Sequence, residues 1–267
     1  MAPSEGFASI ADASKPNAGR IYDFVLGGNH NFEVDRQAAQ AAIKLAPGFP
    51  NTARSIRWFL GEAVRSLVAD GFTQFIDFAS GLPTVDHIHQ ITPPGTKVIY
   101  SDIDPVTVAY GQDIIKDNPD ARYVVCNIAT PELLLEDPVV SQFLDRKRAT
   151  AIGFNGIAWF VKDDDVAHSL QRLYDWARAG DRLFLSDFHT DPSLATEKMK
   201  EGAEMYQKLG QPLFLRPLDS LLRLCRPWKV RDPGFQPLEK WIGVQAGVGE
   251  AEQATFGSLC VGAILEK

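Results

Sequence analysis

The chain has 267 residues, of which 45% are hydrophobic and 23% charged, as is usual for a folded globular protein. Its formal net charge of −7 disfavours a nucleic-acid partner, since phosphate contacts need basic side chains. No apolar run reaches the roughly 20 residues of a membrane helix. The N-terminus does not resemble a secretory signal, and three widely spaced cysteines suggest free thiols, so we expect a cytoplasmic protein. No Cys/His spacing suggests a metal site.

The N-terminal third is predicted to be helical. Residues 1–16 look like a flexible arm, and helices are expected over about 17–26, 34–46 and 51–69. The first helix is expected to stop at Gly27-Gly28, and the third repeats apolar residues every three or four positions, which predicts one buried face. We therefore expect an N-terminal arm and helical extension over residues 1–70, followed by one compact domain over residues 71–267.

After Gly71 the hydrophobic pattern alternates between strands and helices. Strands are predicted at 75–78, 97–100, 123–126, 150–154 and 183–185, and helices at 84–90, 105–116, 131–135 and 163–179. This alternation predicts a parallel sheet that is covered by helices on both faces. A further helix is expected near 196–209, and two strands near 228–230 and 259–265 would suit an antiparallel edge.

The segments that follow the first two strands are the strongest candidates for a ligand site, because open α/β sheets bind ligands beyond the carboxyl ends of their strands. The turn from Asp77 through Ala79 and Gly81 consists of small residues, which let a ligand approach the backbone. It lacks the glycine pattern that fits a pyrophosphate. Asp102, 21 residues after Gly81, is placed to accept hydrogen bonds from both hydroxyls of a ribose. The alternative for the turn is a plain strand-to-helix connection without a ligand. The alternative for Asp102 is a helix cap or a solvated acid.

The later strand ends carry further candidates. Asn127 could pair with an adenine edge or make a local turn hydrogen bond. Trp159 and Phe160 could form the wall of a substrate pocket for an aromatic or sulfonium group, or pack in the core. His189 follows the fifth strand and is the candidate general base, with a structural histidine as the alternative.

Three stretches of the chain resemble the actinobacterial-type S-adenosyl methyltransferases that were once catalogued only as a domain of unknown function. They are Arg20 to Gly28 continuing through Asn31-Phe32 to Asp35-Arg36; Phe75-Ile76-Asp77 with Gly81 to Thr84 and His89; and Tyr100 with Asp102, Asp104 and Pro105. The resemblance covers nearly the whole chain. It implies an α/β fold of the class I methyltransferase, Rossmann-like type, with a seven-stranded, mostly parallel sheet, helices on both faces and an N-terminal helical extension.

The resemblance also implies S-adenosyl-L-methionine as the cofactor, lying across the first two strand ends. By position, Asp77 and Gly81 would border the methionine moiety, Asp102 the ribose and Asn127 the adenine. The full set of predicted cofactor-binding residues is Tyr22, Gly28, Asn31, Asp77, Ala79, Gly81, Asp102, Ile103, Asn127 and Asn155.

Three residues depart from the family pattern. Ala79 replaces a usual glycine, Asn127 a usual aspartate and Trp159 a usual histidine. The loss of the aspartate puts the strength of cofactor binding in doubt. The tryptophan indicates an acceptor pocket that differs from those of relatives.

We expect methyl transfer to a small-molecule acceptor by in-line displacement, by a protein that could form a homodimer. A regulatory or inactive S-adenosylmethionine-binding protein and a nicotinamide-dependent oxidoreductase are the alternatives. Tyr22, Gly28 and Asn31 precede the first strand, and we expect their segment to fold over the cofactor as a lid. A helix hairpin that only packs on the sheet is the alternative for this segment.

Overall fold

The computed structural model describes residues 14–45, 47–190, 212–241 and 258–267, together with residues 201, 204 and 207. The helix predicted over 196–209 and most of the arm predicted over 1–16 therefore lie outside the described residues. Within the described ranges, no helix combines the length and the apolar character needed to cross a membrane.

Three helices precede the sheet, close to their predicted positions. They are α1 (Ala18–Val25), α2 (Glu33–Leu45) and α3 (Phe49–Ala69). The side chain of Asn17 caps α1 by accepting the N–H of Arg20 at 3.1 Å. Gly27, with φ of 85°, follows the end of α1, which confirms the predicted glycine stop.

The described strands form one mixed sheet. They are β1 (Gln74–Asp77), β2 (Lys97–Asp102), β3 (Ala121–Val125), β4 (Ala151–Phe154), β5 (Arg182–Thr190), β6 (Lys229–Val230), β7 (Gln236–Pro237) and β8 (Ser258–Glu266). The order is β3-β2-β1-β4-β5-β8-β6, with β7 also paired to β8. Strands β1 to β5 are parallel, and β8 runs antiparallel to β5, β6 and β7.

The predicted fold class and its antiparallel C-terminal edge are confirmed. The described sheet has eight strands where seven were expected. The additional strand, β7, has two residues, one of them a proline, and so short a segment gives no strand signal in the sequence.

Seven further helices lie between the described strands. They are α4 (Ile88–Ile91), α5 (Pro105–Ile115), α6 (Glu132–Leu135), α7 (Pro138–Phe143), α8 (Asp163–Trp176), α9 (Leu218–Leu224) and α10 (Leu238–Trp241), with a 3₁₀ turn at Ala158–Phe160. The helix predicted over 84–90 is wrong in extent, because Asp86 adopts a left-handed conformation with φ of 49° that an α-helix does not allow. In this region only the short helix α4 is observed.

Helices cover both faces of the sheet, as predicted. The neighbouring residues Phe75 and Ile76 of β1 belong to different core clusters. Phe75 packs in a cluster with Phe59 of α3, whereas Ile76 packs in one with Leu170 of α8. Since successive strand residues point to opposite faces, α3 and α8 lie on opposite sides of the sheet. The third N-terminal helix is therefore part of the main core.

A buried carboxylate joins the N-terminal segment to the turn after β1. Asp23 accepts hydrogen bonds from the backbone N–H of His30 at 2.8 Å and from Nδ2 of Asn31 at 2.9 Å. Its other oxygen accepts the hydroxyl of Thr84 at 2.6 Å. A side chain at Gly28 would overlap this carboxylate, so the position requires glycine. The stretch from Arg20 to Gly28 and the turn from Gly81 to Thr84 are thus in direct contact through Asp23.

A second contact joins the same segment to the helix after β2. Nδ2 of Asn17 donates to Oδ2 of Asp104 at 2.6 Å, and Asp104 caps α5 through the N–H groups of Val106 and Thr107. Asp35, which is buried, accepts from Nε of Arg20 at 2.7 Å and from the backbone N–H of Asn17 at 2.9 Å. The N-terminal helices are therefore attached to the carboxyl edge of the sheet at two points.

Replacing Asp23 by alanine is expected to lower the free energy of unfolding by about 3 kcal/mol, because its hydrogen-bond donors lose their buried acceptor. Urea denaturation measures the change. The control is Glu33→Ala, which removes an exposed acid from the same segment and is expected to cost much less, because exposed ion pairs contribute little. Equal losses for the two variants would show that Asp23 does not hold the segment.

Candidate cofactor site

The turn after β1 is tight and exposes its backbone. The hydroxyl of Ser80 donates to the backbone oxygen of Asp77 at 2.7 Å, and the N–H of Ser80 donates to the oxygen of Ser101 at 2.9 Å. Gly81 has φ of 63°, and a Cβ built on it would meet open space. Ala79 also has a positive φ, 52°, which costs an L-residue about 1–2 kcal/mol. The replacement of the usual glycine therefore leaves the turn intact but strained.

Asp102 lies at the end of β2, directly beside this turn. Its carboxylate accepts the N–H of Gly81 at 3.1 Å and the N–H of Asp104 at 3.0 Å. Burial raises its pKa, and these backbone hydrogen bonds lower it in part. A carboxylate has about four acceptor sites, so the side chain keeps acceptor capacity for further hydroxyl groups.

Two exposed apolar side chains flank Asp102. Ile103 follows it in the chain and is 61% exposed, and Val125 pairs with it in the sheet register and is 57% exposed. Exposed side chains of this size at adjacent strand ends provide an apolar surface for a flat ring, next to an acid for hydroxyl groups. The structure thus brings Gly81, Asp102 and Ile103 together, as the sequence predicted.

Asp77 closes β1 as a buried acid with an unused acceptor atom. It is 2% exposed, and among the described residues its Oδ2 has no hydrogen-bond partner. Burial raises the pKa of Asp77 to about 6, while a hydrogen bond with Ser80 and the charge of Arg57 act in the opposite direction. A buried acceptor without a partner is costly, and such groups mark candidate ligand contacts.

Arg57 is a part of this site that the sequence analysis missed. It lies on α3, is 6% exposed, and its Nε and Nη1 have no partner among the described residues. The signal was present in the sequence, because Arg57 shares the spacing of the buried residues Ala53 and Leu60 on the apolar face of its helix. A cation at such a position is either paired or functional.

The two predicted asparagines that follow strands, Asn127 and Asn155, occupy different environments. Oδ1 of Asn127 accepts the N–H of Ala129 at 3.0 Å in a local turn, and the side chain is exposed. Oδ1 of Asn155 accepts the hydroxyl of Ser186 at 2.6 Å, and its Nδ2 contacts the oxygen of Ile56 at 3.4 Å. Asn155 therefore holds α3 against the carboxyl edge of the sheet. Cofactor contacts by either asparagine stay predictions.

The predicted substrate-pocket residues, Trp159 and Phe160, lie in the turn after β4, beside Phe188 of β5. Trp159 is 5% exposed, with its ring 4.4 Å from Phe188 and 5.9 Å from Phe160 between centroids. Trp159 thus contributes mainly to the core, whereas Phe160 and Phe188 are half-buried. Nδ1 of His189 accepts the N–H of Leu218 at 3.0 Å, so a neutral His189 carries its proton on Nε2. This bond gives the ring a structural role, and general-base activity stays a prediction.

The predicted N-terminal residues surround Asp23 and α3. The hydroxyl of Tyr22 donates to the oxygen of Ala53 at 2.9 Å. Gly28 packs on the Asp23 carboxylate, and Nδ2 of Asn31 donates to both Asp23 and the oxygen of Gly28. These contacts favour the packed-hairpin alternative for Gly28 and Asn31, and a lid motion stays a prediction.

Asp77→Asn is expected to make the protein more stable above about pH 6. The folded-state pKa of about 6 lies above the ordinary aspartate value of 3.8, so ionising Asp77 costs stability as the pH rises through this range. The variant, which does not ionise, should gain about 1–3 kcal/mol at pH ~8 and nothing at pH ~4. Urea denaturation at both pH values measures this difference in stability.

The control is Asp86→Asn, which changes an exposed acid. If Asp77→Asn gains the same stability at both pH values, burial of a charged Asp77 is contradicted.

Comparison with known proteins identifies the family. A family model described as S-adenosyl methyltransferase matches residues 5–264. The structure of a proposed methyltransferase of Thermobifida fusca is 28% identical, with 99% of this chain and 98% of that chain covered and a TM-score of 0.83. A DUF574 family protein of Streptomyces avermitilis is 26% identical, with 96% and 99% covered and a TM-score of 0.83. Among curated proteins, no sequence matches. The chain belongs to the S-adenosyl methyltransferase family and is an S-adenosylmethionine-dependent methyltransferase.

Proposed function

We propose that the enzyme transfers the methyl group of S-adenosylmethionine to a small-molecule acceptor by in-line displacement, at the carboxyl ends of β1, β2 and β4. The observation that carries the proposal is the position of Asp102, half-buried between the open turn at Gly81 and the exposed side chains of Ile103 and Val125. An acid next to an apolar surface matches a nucleoside, which joins a hydroxylated ribose to a flat base.

The buried polar atoms fit the rest of the cofactor. Oδ2 of Asp77 has no partner among the described residues, and it lies at the end of the strand from which the Gly81 turn departs. The methionine end of the cofactor carries an ammonium group, which is a suitable partner for a buried carboxylate. Asp77 and Asp102 would therefore hold the amino-acid end and the ribose of one ligand, with the turn between them.

When bound, S-adenosylmethionine supplies a methyl group that is already activated by the positive charge on its sulfur. The chain then has to align the acceptor and keep water away from the reacting atoms. Phe160 and Phe188 lie next to Trp159 at the ends of β4 and β5, where aromatic faces attract cationic groups. Because His189 already accepts a hydrogen bond at Nδ1, positioning is favoured over general-base catalysis as the main contribution of the chain.

A small molecule is the favoured acceptor for two reasons. The net charge of −7 disfavours binding to a phosphate backbone. The half-buried aromatic rings of Phe160 and Phe188 are suited to an apolar or aromatic compound. A panel of small O-, N- and C-nucleophiles, incubated with methyl-labelled cofactor, tests the acceptor class; transfer of label only to a nucleic acid or a protein would overturn it.

S-adenosylhomocysteine, the reaction product, is expected to bind the purified protein and to raise its melting temperature. Asp102→Ala is expected to weaken this binding by about 1.5–3 kcal/mol, because it removes charge-assisted hydrogen bonds to the ribose. Isothermal titration calorimetry measures both effects. Asp113→Ala, which removes an exposed acid of α5 paired with Lys116, is the control and should bind as the wild type does. Unchanged affinity in Asp102→Ala would remove the ribose assignment.

A further inference from the structure

A buried ion pair lies near the carboxyl ends of β4 and β5, outside the residues assigned to the cofactor. Arg216 is 3% exposed and Asp187 of β5 is 0% exposed, and Nη1 of the arginine donates to Oδ2 of the acid at 2.8 Å. Removing two charges from water is costly, so such a pair needs good geometry and further hydrogen bonds to offset that cost. The pair therefore fixes the relative positions of the segments that it joins.

The guanidinium group of Arg216 is fully used in contacts within the protein. Nε donates to Oδ1 of Asp163 at 3.0 Å. Besides its bond to Asp187, Nη1 donates to the backbone oxygen of Ala158 at 3.0 Å. Nη2 donates to the backbone oxygen of Val161 at 2.8 Å and lies 2.9 Å from Oδ1 of Asp163. An arginine has five N–H donors, and these five contacts account for them, which indicates a positioning role rather than ligand binding.

Two of these contacts hold both ends of the turn after β4. Ala158 and Val161 enclose the part of the turn that carries Phe160. The same guanidinium group is bound to Asp187, the residue before Phe188 in β5. It therefore sets the position of Phe160 relative to Phe188, the two half-buried rings of the expected acceptor pocket.

The chain just before this arginine lies along the end of β5. Arg216 pairs with His189 in an isolated parallel bridge. In a parallel pair the preceding residues are neighbours too and point to the same face, so Leu215 lies beside Phe188. The backbone N–H of Phe214 donates to an oxygen of the turn after β4 at 2.7 Å. This segment is therefore attached to both strands whose ends carry the aromatic rings.

Two leucines of the segment complete an apolar surface. Leu213 and Leu215 are half-buried and pack against the core cluster that contains Trp159. Phe160 and Phe188 pack against the same cluster and are also half-buried. Four apolar side chains with part of their surface open thus meet at the strand ends, next to those of β1 and β2. Such a surface is suited to a ring compound.

We propose that Leu213 and Leu215 form the outer wall of the acceptor pocket and restrict it to flat, uncharged ring compounds, and that Arg216 positions this wall against Phe160 and Phe188; this rests on the proposed function. Apolar side chains give a charged group no compensation for the water that it loses on binding. The wall thereby determines which acceptor binds, whereas the cofactor is held by other residues.

The test measures the binding of ring compounds to the complex with S-adenosylhomocysteine, so that the result does not depend on which acceptor atom is methylated. The probes are 2-naphthol and 2-naphthoate, which share a ring system and differ in charge. In isothermal titration calorimetry, 2-naphthol is expected to bind at least roughly 10-fold more tightly, because the carboxylate of 2-naphthoate would be desolvated without a partner. Equal or tighter binding of 2-naphthoate would overturn the proposed selectivity.

Leucine variants test the wall itself. Leu213→Ala and Leu215→Ala are each expected to weaken 2-naphthol by about 5-fold or more, because they remove apolar contact area. The affinity for S-adenosylhomocysteine should change by less than about 2-fold. The matched control is Leu222→Ala, which truncates a 38% exposed leucine of α9 and should change neither affinity.

An arginine variant tests the positioning role. Arg216→Lys keeps the positive charge beside Asp187 but cannot make all five contacts. It is expected to weaken 2-naphthol by about 10-fold and S-adenosylhomocysteine by less than about 2-fold. Arg223→Lys, which changes an exposed arginine of α9, is the control and should alter neither affinity. A purely structural Arg216 would leave the ratio of the two affinities unchanged, and the leucine variants still decide the proposal if Arg216→Lys does not fold.

The outcomes distinguish the two proposals. If the wild type does not bind S-adenosylhomocysteine, the proposed function fails and this inference fails with it. If the wild type binds S-adenosylhomocysteine but not 2-naphthol, the inference is overturned while the cofactor site stands. The same holds if both leucine variants bind 2-naphthol as tightly as the wild type does.

Discussion

The parallel alignment of β1 between β2 and β4 is the constraint on which the site depends. Asp77, the last residue of β1, lies opposite Tyr100 of β2 and Gly153 of β4. A side chain at Gly153 would overlap the Asp77 carboxylate, so glycine at this position makes room for it. Because parallel strands end at the same edge of a sheet, this register brings Asp77 and Asp102 to one place. The hydrogen bond from Gly81 to Asp102 then fixes the connecting turn between them.

The N-terminal segment completes the site from outside the sheet. Asp23 attaches it to Thr84 in the turn after β1, and Asn17 attaches it to Asp104 at the start of α5. We propose that the strand ends hold the nucleoside half of the cofactor and that Asp77 binds the ammonium group of its amino-acid half. A methyl donor needs both halves to hold its sulfur at a fixed position, because methyl transfer depends on alignment.

The strands and long helices could be predicted from the sequence because their hydrophobic periods are local. The acids Asp77 and Asp102 could be located for the same reason, since each lies at the end of an apolar strand. The extent of α4 could not be predicted, because Asp86 adopts a left-handed backbone conformation and the hydroxyl of Thr84 donates to Asp23, which is distant in the sequence. The spacing of Arg57 on the apolar face of α3 marked it as buried, but the groups around it come together only after folding, so its place beside Asp77 could not be predicted.

A crystal structure of the protein with S-adenosylhomocysteine would show directly whether the strand ends form the cofactor site. We expect the ribose hydroxyls within hydrogen-bond distance of Asp102, the adenine against Ile103 and the ligand ammonium group on Asp77. A complex in which the ligand lies elsewhere would contradict the assignment of the site. A ligand with its ribose on Asp102 and its ammonium group away from Asp77 would contradict the assignment of the amino-acid end.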